Sequence, residues 1–302
     1  MSSRVELPAE LPQAFSVAQA LAAGVAPGRL RTRTLSRPFH GVRARGAVSA
    51  GALLERCRAF APRLRDGQFF SHETALALVG APLPEWPYAP GIHVSAYRPA
   101  REPRTRGVVG HRLQLRAPAF VWIDGLPVED PVRAWRQAGT RWSFGDLVAA
   151  ADFLLQERGV EASELRHEAR MMGDLRGGSL SHALTAARGG VRSARETRLR
   201  LLLVNAGLPE PETGWELFTT RGTFVAELDL AFPRYRVAVE YDGRVHAEDA
   251  AQFARDADRW SAIRVQGWDH VRVLSHHMMG DEQAAVALVR DALRRAGWTA
   301  GR

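Results

Sequence analysis

The stretch "LDLAFPRYRVAVEYDGRVH", Leu228 to His246, sets two strand-like segments about a turn and seats Asp229, Glu240 and Asp242 among apolar residues. Carboxylates in such company are costly unless a proton, a cation or solvent relieves them. Just upstream, "GWELFTT" and "TFVAELDLAF" alternate with the two-residue period of strands, and Arg221-Gly222 marks the turn between them. The period places Phe224, Ala226, Leu228 and Leu230 on one face of the second strand and Val225, Glu227, Asp229 and Ala231 on the other. In the third strand Val237, Val239 and Tyr241 oppose Ala238, Glu240 and Asp242.

Register then decides what the carboxylates do. A two-residue turn at Arg234-Tyr235 pairs Pro233 with Arg236 and sets Asp229 opposite Glu240, with β-carbons roughly 5 Å apart. Two carboxylates so placed repel each other unless a proton or a divalent cation lies between them. Oxygen ligands of this kind suit Mg²⁺ or Mn²⁺, with Asp229 and Glu240 as the expected metal ligands. Asp242, on the same face, is placed to add a third oxygen or to reach a bound water. The competing reading is a pair of solvated edge-strand carboxylates, which would cost nothing. The flanks "LDLAF" and "VAVEY" speak for central strands instead.

Helices are expected on both sides of these strands. "ETRLRLLLVNAG" has Leu199, Leu202 and Leu203 inward and stops at Gly207 and Pro209. "EDAAQFARDADRWSAIRVQGW" turns Phe253, Trp260 and Ile263 inward. Arg255 and Arg259, four apart, share a face from which they meet a phosphate or pair with Asp256 and Asp258. "SHHMM", Ser275 to Met279, reads as a loop.

The whole chain has 302 residues, of which 46% are hydrophobic, enough for a core in two or three domains. No apolar run reaches membrane-span length and the N-terminus lacks the shape of a secretion signal, so a cytoplasmic location and no membrane partner are expected. The lone cysteine, Cys57, excludes an internal disulfide and reads as helical filler. Lys plus Arg number 41 against 33 Asp plus Glu, and every one of those cations is arginine. Ala, Gly and Arg richness makes coding-sequence bias the simplest source of the missing lysine. The net charge of +8 and the clustering of the arginines still favour a polyanionic partner.

That clustering is strongest near the N-terminus. "FSVAQALAAGVAPGRLRTRTL" has Ser16 as an N-cap, Val17, Ala20 and Leu21 inward, and a break at Gly24. A second helix is expected from Pro27 through Leu30 towards Leu35, in helix-turn-helix spacing, with Arg29, Arg31 and Arg33 on or beside it. "RPFHGVRAR" follows as a hairpin carrying Arg37, Arg43 and Arg45, a candidate wing against a phosphate backbone. Spacing alone equally allows a helical hairpin with a solvated basic face.

From about Ala47 to Gly190 the pattern is mixed α/β. "LLERCRAFAPRL" is helical in period with Leu53, Leu54, Cys57 and Phe60 on one side, and "SHETALALVG" starts a helix at Ser71. "GIHVSAYRP" and "HRLQLRAPAFVWIDGLPV" read as strands, and Asp130-Pro131 as an N-cap with proline at the first helical position. His72, His93 and His111 stand apart in sequence and read as separate structural histidines. The turn-rich "AARGGVRSARE" is the expected boundary before the last domain. The expected architecture is therefore an α+β multidomain chain: 1–46 winged-helix-like, 47–190 mixed α/β, and 191–302 α/β.

Two resemblances attach to these motifs. "FSVAQALAAGVAPGRLRTRTLSRPFHGVRA" resembles the N-terminal winged helix of AbiEi-type antitoxins, which implies DNA binding, and the stretch after it resembles their mixed α/β segment. From Glu196 to Trp298, "GLPEP", "LDLAFP", "VEYDG", His246, "RDADRW" and "GWDHVRVL" resemble the PD-(D/E)XK nuclease superfamily, and more closely the nuclease-like domains related to very-short-patch-repair endonucleases. That likeness implies Asp229 as the central metal-binding aspartate, Glu240 as the second acidic ligand and Glu196 reaching the metal through water. It also implies His246 as the group that positions or protonates at the scissile phosphate. Asp242 stands where the superfamily carries lysine. The expected function is a metal-dependent DNA endonuclease, with RNA as another substrate class. The rival is a DNA-binding regulator, antitoxin-like, whose nuclease-like domain is inactive.

Overall fold

The computed structural model describes residues 7–49, 51–85, 91–114, 117, 119–173, 177–242, 250–278 and 283–300, and for 250–254 the backbone alone. The chain is mixed α/β, and its contacts divide it into two compact units, Met1–Ala138 and Gly139–Arg302. No described helix is long and apolar enough to cross a membrane.

In the first unit, β1 (Ala14–Ser16) leads into α1 (Val17–Ala22). Ser16 caps this helix as expected: its hydroxyl accepts from the Gln19 N–H while the Gln19 side chain accepts from the Ser16 N–H. The expected second helix is instead a single 3-10 turn, Arg29–Arg31. Pro27 and Gly28 are poor helix formers, and the Thr32 hydroxyl donates to the Arg29 carbonyl, ending the turn. The expected hairpin is present as β2 (Leu35–Ser36) and β3 (Val42–Arg45), with β1 on the other side of β3. Phe15, Ala20, Val25, Leu30 and Leu35 form one small core beneath them.

The rest of the unit holds α2 (Leu53–Phe60), β4 (Gln68–Phe70), α3 (His72–Leu78), β5 (Ile92–Tyr97), β6 (Val108–Leu113), β7 (Phe120–Ile123), β8 (Leu126–Glu129) and α4 (Pro131–Ala138). On α2, Cys57 and Phe60 are buried, whereas Leu54 lies exposed rather than inward. Burial lifts the Cys57 thiol to about 12, so it is inert filler. Asp130 caps α4 through its Oδ1, which accepts from the Val132 and Arg133 N–H groups. The strands form one sheet in the order β6-β5-β4-β8-β7, with β5 and β6 parallel.

The second unit opens with α5 (Phe144–Glu157), α6 (Ala162–Met172), α7 (Ser179–Ala186) and α8 (Ala194–Asn205). Residues 139–190, which the sequence groups with the middle region, thus pack with the C-terminal elements. A buried ion pair, Arg200 to Asp152 at 2.9 Å, ties α8 to α5, and both side chains are 1% exposed. Asp152 also accepts from the Thr197 hydroxyl and the Arg188 N–H, and Arg200 Nη1 donates to the Ala186 carbonyl, so both ions carry hydrogen bonds beyond the pair.

Then follow β9 (Glu212–Phe218), β10 (Phe224–Phe232), β11 (Val237–Asp242), α9 (Ala250–Val265), β12 (Asp269–Leu274) and α10 (Gln283–Arg295). "SHHM" forms a 3-10 turn, Ser275–Met278, rather than an irregular loop. The sheet order is β12-β11-β10-β9, with β11 and β12 parallel across the α9 connection. The strands that bear the carboxylates are therefore central. Val237 and Val239 face one core with Leu199 and Leu203 of α8 and Val289 and Leu293 of α10. Ala238 faces the other, with Ile263 of α9 and Trp268. Each fully buried aliphatic side chain in these layers contributes roughly 1.5–3 kcal/mol.

Two local expectations are corrected. The turn after β10 is a 3-10 turn, Pro233–Tyr235, closed by Arg236 in the left-handed region (φ 49°), rather than a two-residue loop. The register is nonetheless the expected one, Phe232↔Val237, Ala231↔Ala238 and Leu230↔Val239. The strict alternation predicted for β10 also fails: Leu228 packs in the same core as Ala231, and Leu230 in the opposite one. The period breaks at Asp229. Opposite this break, Gly214 (φ 60°) lies against Gly190, and a Cβ on Gly214 would sit 2.8 Å from the Gly190 carbonyl oxygen.

Candidate functional site

Asp229 lies where the side chains of β10 change faces, one residue beyond its ladder with β11. The ladder with β11 runs to Leu230↔Val239, and there the Asp229 Oδ2 accepts a 3.2 Å hydrogen bond from the Tyr241 N–H. Glu240 extends from the neighbouring strand and is only 6% exposed, which rules out the solvated edge-strand reading for it. Glu196, near the start of α8, is buried and accepts from the Arg192 N–H and the Ser193 hydroxyl.

These three carboxylates feel one another. Burial first, then the charges of Glu196 and Glu240, push the Asp229 carboxyl from its ordinary 3.8 up to about 7. Glu240 goes the opposite way. Burial raises it, but His270, Arg259 and Trp260 together outweigh that and hold it below the usual carboxylate range. Its Oε2 lies 3.0 Å from His270 Nε2 and accepts from Trp260 Nε1 at 3.1 Å. Its Oε1 lies 2.7 Å from Arg259 Nη2, yet this buried oxygen has no donor aligned on it. The like-charge conflict is thus relieved on Glu240 by the Arg259 guanidinium, with Trp260 and His270 beside it, and on Asp229 by a proton.

A buried carboxylate oxygen without an aligned donor, beside a carboxyl raised to about 7 by burial and then by its like-charged neighbours, is a donor set that fits a hard divalent cation. Metal ions compete with protons for such groups, so a raised carboxyl is also one that an ion can deprotonate.

The other expected site residues separate. Asp242 does not turn to Asp229: it pairs with Arg272 at 2.5 Å, and the Arg272 guanidinium stacks 3.8 Å above the Trp260 ring. Arg259 pairs with Glu240 and donates to the Glu227 carbonyl, rather than to Asp256 or Asp258. Arg255 is exposed on the same helix. His246 lies outside the described residues. His270 and Arg272 are the residues that sequence reading passed over. Their signal was the alternation in "DHVRVL", which puts both on one face of a strand beside Glu240, with Glu240↔Arg272 in register.

Near the N-terminus the arginines take two roles. Arg43 Nε donates to the Leu30 carbonyl at 2.6 Å and Arg45 Nη2 to the Pro8 carbonyl at 2.7 Å, bracing loops from within. Arg29 is held by the Thr32 and Thr34 hydroxyls. Arg31 and Arg33 are exposed.

The histidines of the first unit are not isolated, contrary to the sequence expectation. His93 Nδ1 and His111 Nε2 lie 2.9 Å apart, and the His72 ring stacks on His111 with centroids 3.7 Å apart. Parallel pairing of β5 and β6 joins residues eighteen positions apart.

The fold and site define a mixed α/β protein with a carboxylate cluster on two central strands and the helix beside them. The sequence is similar to two proteins of Mycobacterium tuberculosis, Uncharacterized protein MT2308 and Uncharacterized protein Rv2248, at 31% identity over 117 residues in each case. The match covers 38% of this chain and 43% of each relative, so the chain spans less than half the length of the curated relatives it matches. No protein-family model matches the chain, and no solved structure does.

Proposed function

We propose that residues 191–302, within the second unit, are a PD-(D/E)XK-type, metal-dependent nuclease domain acting on DNA, and that the first forty-six residues are a winged-helix-like DNA-binding element. The observation that carries this reading is a buried Asp229 with Glu196 and Glu240 close enough to act on it, burial first and then the two charges raising its carboxyl to about 7. The element order from α8 to α10 and the central position of β10 and β11 support it, because they match what the sequence resemblance implies.

On this reading Asp229 and Glu240 hold Mg²⁺ or Mn²⁺, and Glu196 reaches it through water. Such an ion, when bound, supplies an acidified water and neutralises charge on the phosphate. The chain does the positioning. The Tyr241 N–H orients the Asp229 carboxylate, and Trp260 Nε1 with His270 fixes the Glu240 rotamer. Arg259, a third exposed at its side chain, and the exposed Arg255 offer cationic groups to a phosphate on the same side. At the N-terminus, Arg31 and Arg33 supply backbone contacts that fix orientation without reading bases.

Supercoiled plasmid incubated with the full chain and Mn²⁺ tests this. Nicking or linearisation by the wild type, absent in Asp229→Ala while duplex retardation persists, is the expected outcome; equal cleavage by the variant rejects the site. The regulator reading has its own observation: Asp242, where the superfamily carries lysine, is neutralised by Arg272. Retardation of duplex by both proteins with no cleavage of DNA or RNA by either would favour it.

A further inference from the structure

The histidine group of the first unit has the arrangement of a metal site. His72 opens α3, His93 lies on β5 and His111 on the edge strand β6, and one ligand nitrogen from each falls within 4.8 Å of the other two. A tetrahedral ion with bonds of about 2.05 Å sets its ligand nitrogens about 3.3 Å apart. His93 Nδ1 and His111 Nε2 share a hydrogen bond at 2.9 Å, close to that span, and an ion bound there would take the place of its proton.

What surrounds the rings distinguishes this group from a chance contact. His93 Nε2, the nitrogen turned away from His111, lies 3.0 Å from Glu73 Oε2, and both side chains are 3% exposed. A buried carboxylate behind a ligating imidazole fixes the tautomer, so that the opposite nitrogen presents a lone pair, and it raises that nitrogen's basicity. His72 Nδ1 lies 3.0 Å from the Ser71 hydroxyl, which in turn accepts from the Ser95 hydroxyl at 2.6 Å, so that side of the ring is held in place. His72 also holds a left-handed backbone (φ 54°), a conformation a β-carbon resists. Its N–H donates to Gln137 Oε1, so the ring is carried to His111 by a backbone that is itself pinned.

We infer that His72, His93 and His111 form a three-nitrogen site for a first-row divalent ion of the zinc class, with Glu73 as its positioning residue. Imidazole donors select Zn²⁺, Co²⁺ or Ni²⁺ over Mg²⁺ and Mn²⁺, so this site differs in chemistry from the carboxylate cluster of the second unit. His93 is buried while His72 and His111 are half-buried, which leaves the fourth coordination position on the accessible side of the rings. Three protein ligands with an open fourth place is the pattern of zinc sites that bind a water or a substrate group.

Cobalt(II) added to the full, untagged chain tests the site directly. The expected result is one equivalent bound with the intense visible absorption of a four-coordinate ion, bleached by Zn²⁺. The band is lost in His111→Gln and in His72→Gln, each checked for native circular dichroism, and kept in Asp229→Ala. Glu73→Gln retains the band with affinity reduced roughly 10–100-fold. Absence of the band in the wild type, its survival in both histidine variants, or its loss in Asp229→Ala would overturn the assignment.

Discussion

Replacing Asp229 by asparagine keeps the shape of the side chain and an oxygen for the Tyr241 N–H, but removes the charge. In the wild type the folded chain holds a proton on this carboxyl up to about 7, whereas the unfolded chain releases it near 3.8. A group raised on folding contributes stability that is fully present below the lower value and is lost as pH rises through the upper one. Each pH unit between the two corresponds to about 1.4 kcal/mol, or about 4 kcal/mol at full effect. Part of the carboxyl is reached by solvent, and screening leaves about 2–3 kcal/mol. In chelator, urea unfolding should therefore show Asp229→Asn and wild type equally stable near the lower value, with the variant pulling ahead by about 2–3 kcal/mol across the interval and the gap flat beyond it. Mn²⁺ should then raise the wild type and leave the variant unchanged. Parallel pH profiles for the two proteins would refute the claim that burial, with Glu196 and Glu240 beside it, holds a proton on this carboxyl.

Other outcomes follow from specific contacts. Arg200→Met leaves Asp152 buried without its cation and should cost about 3–5 kcal/mol by denaturant melt, most of it restored by adding Asp152→Asn. Replacing both Arg31 and Arg33 by alanine should weaken duplex binding and lower the slope of log affinity against log salt by about 2, with thermal stability unchanged. Arg43→Ala should do the reverse, lowering the melting temperature because the Leu30 carbonyl loses its donor. Gly214→Ala should destabilise the second unit, since its Cβ meets the Gly190 carbonyl at 2.8 Å in a backbone that disfavours side chains; an unchanged melt would show that the two backbones separate freely.

Which of these features the sequence discloses depends on how far apart their parts lie. Period-two alternation and turn residues are local, so β9 to β11 and their register were legible, even though the turn at Pro233–Tyr235 has another form. Asp229 and Glu240 were legible for the same reason: eleven residues and one hairpin join them. The break at Asp229 was not, because it depends on which core claims Leu228 and Leu230. His270 stands thirty residues from Glu240 and reaches it through a parallel pairing, for which no turn fixes the register. The histidines of β5 and β6 escaped notice by the same route. The second N-terminal helix failed for a different cause: basic and apolar spacing suggested it, but Pro27, Gly28 and the Thr32 hydroxyl favour a tight turn.

The measurement that bears most directly on the carboxylate cluster is calorimetric titration of Mn²⁺ into the full chain at about pH 8, above the interval in which Asp229 gives up its proton. One site is predicted in the wild type and in His111→Gln, lost in Asp229→Asn and in Glu240→Gln. No heat from the wild type, or the same binding in all four proteins, would contradict a metal held by Asp229 and Glu240.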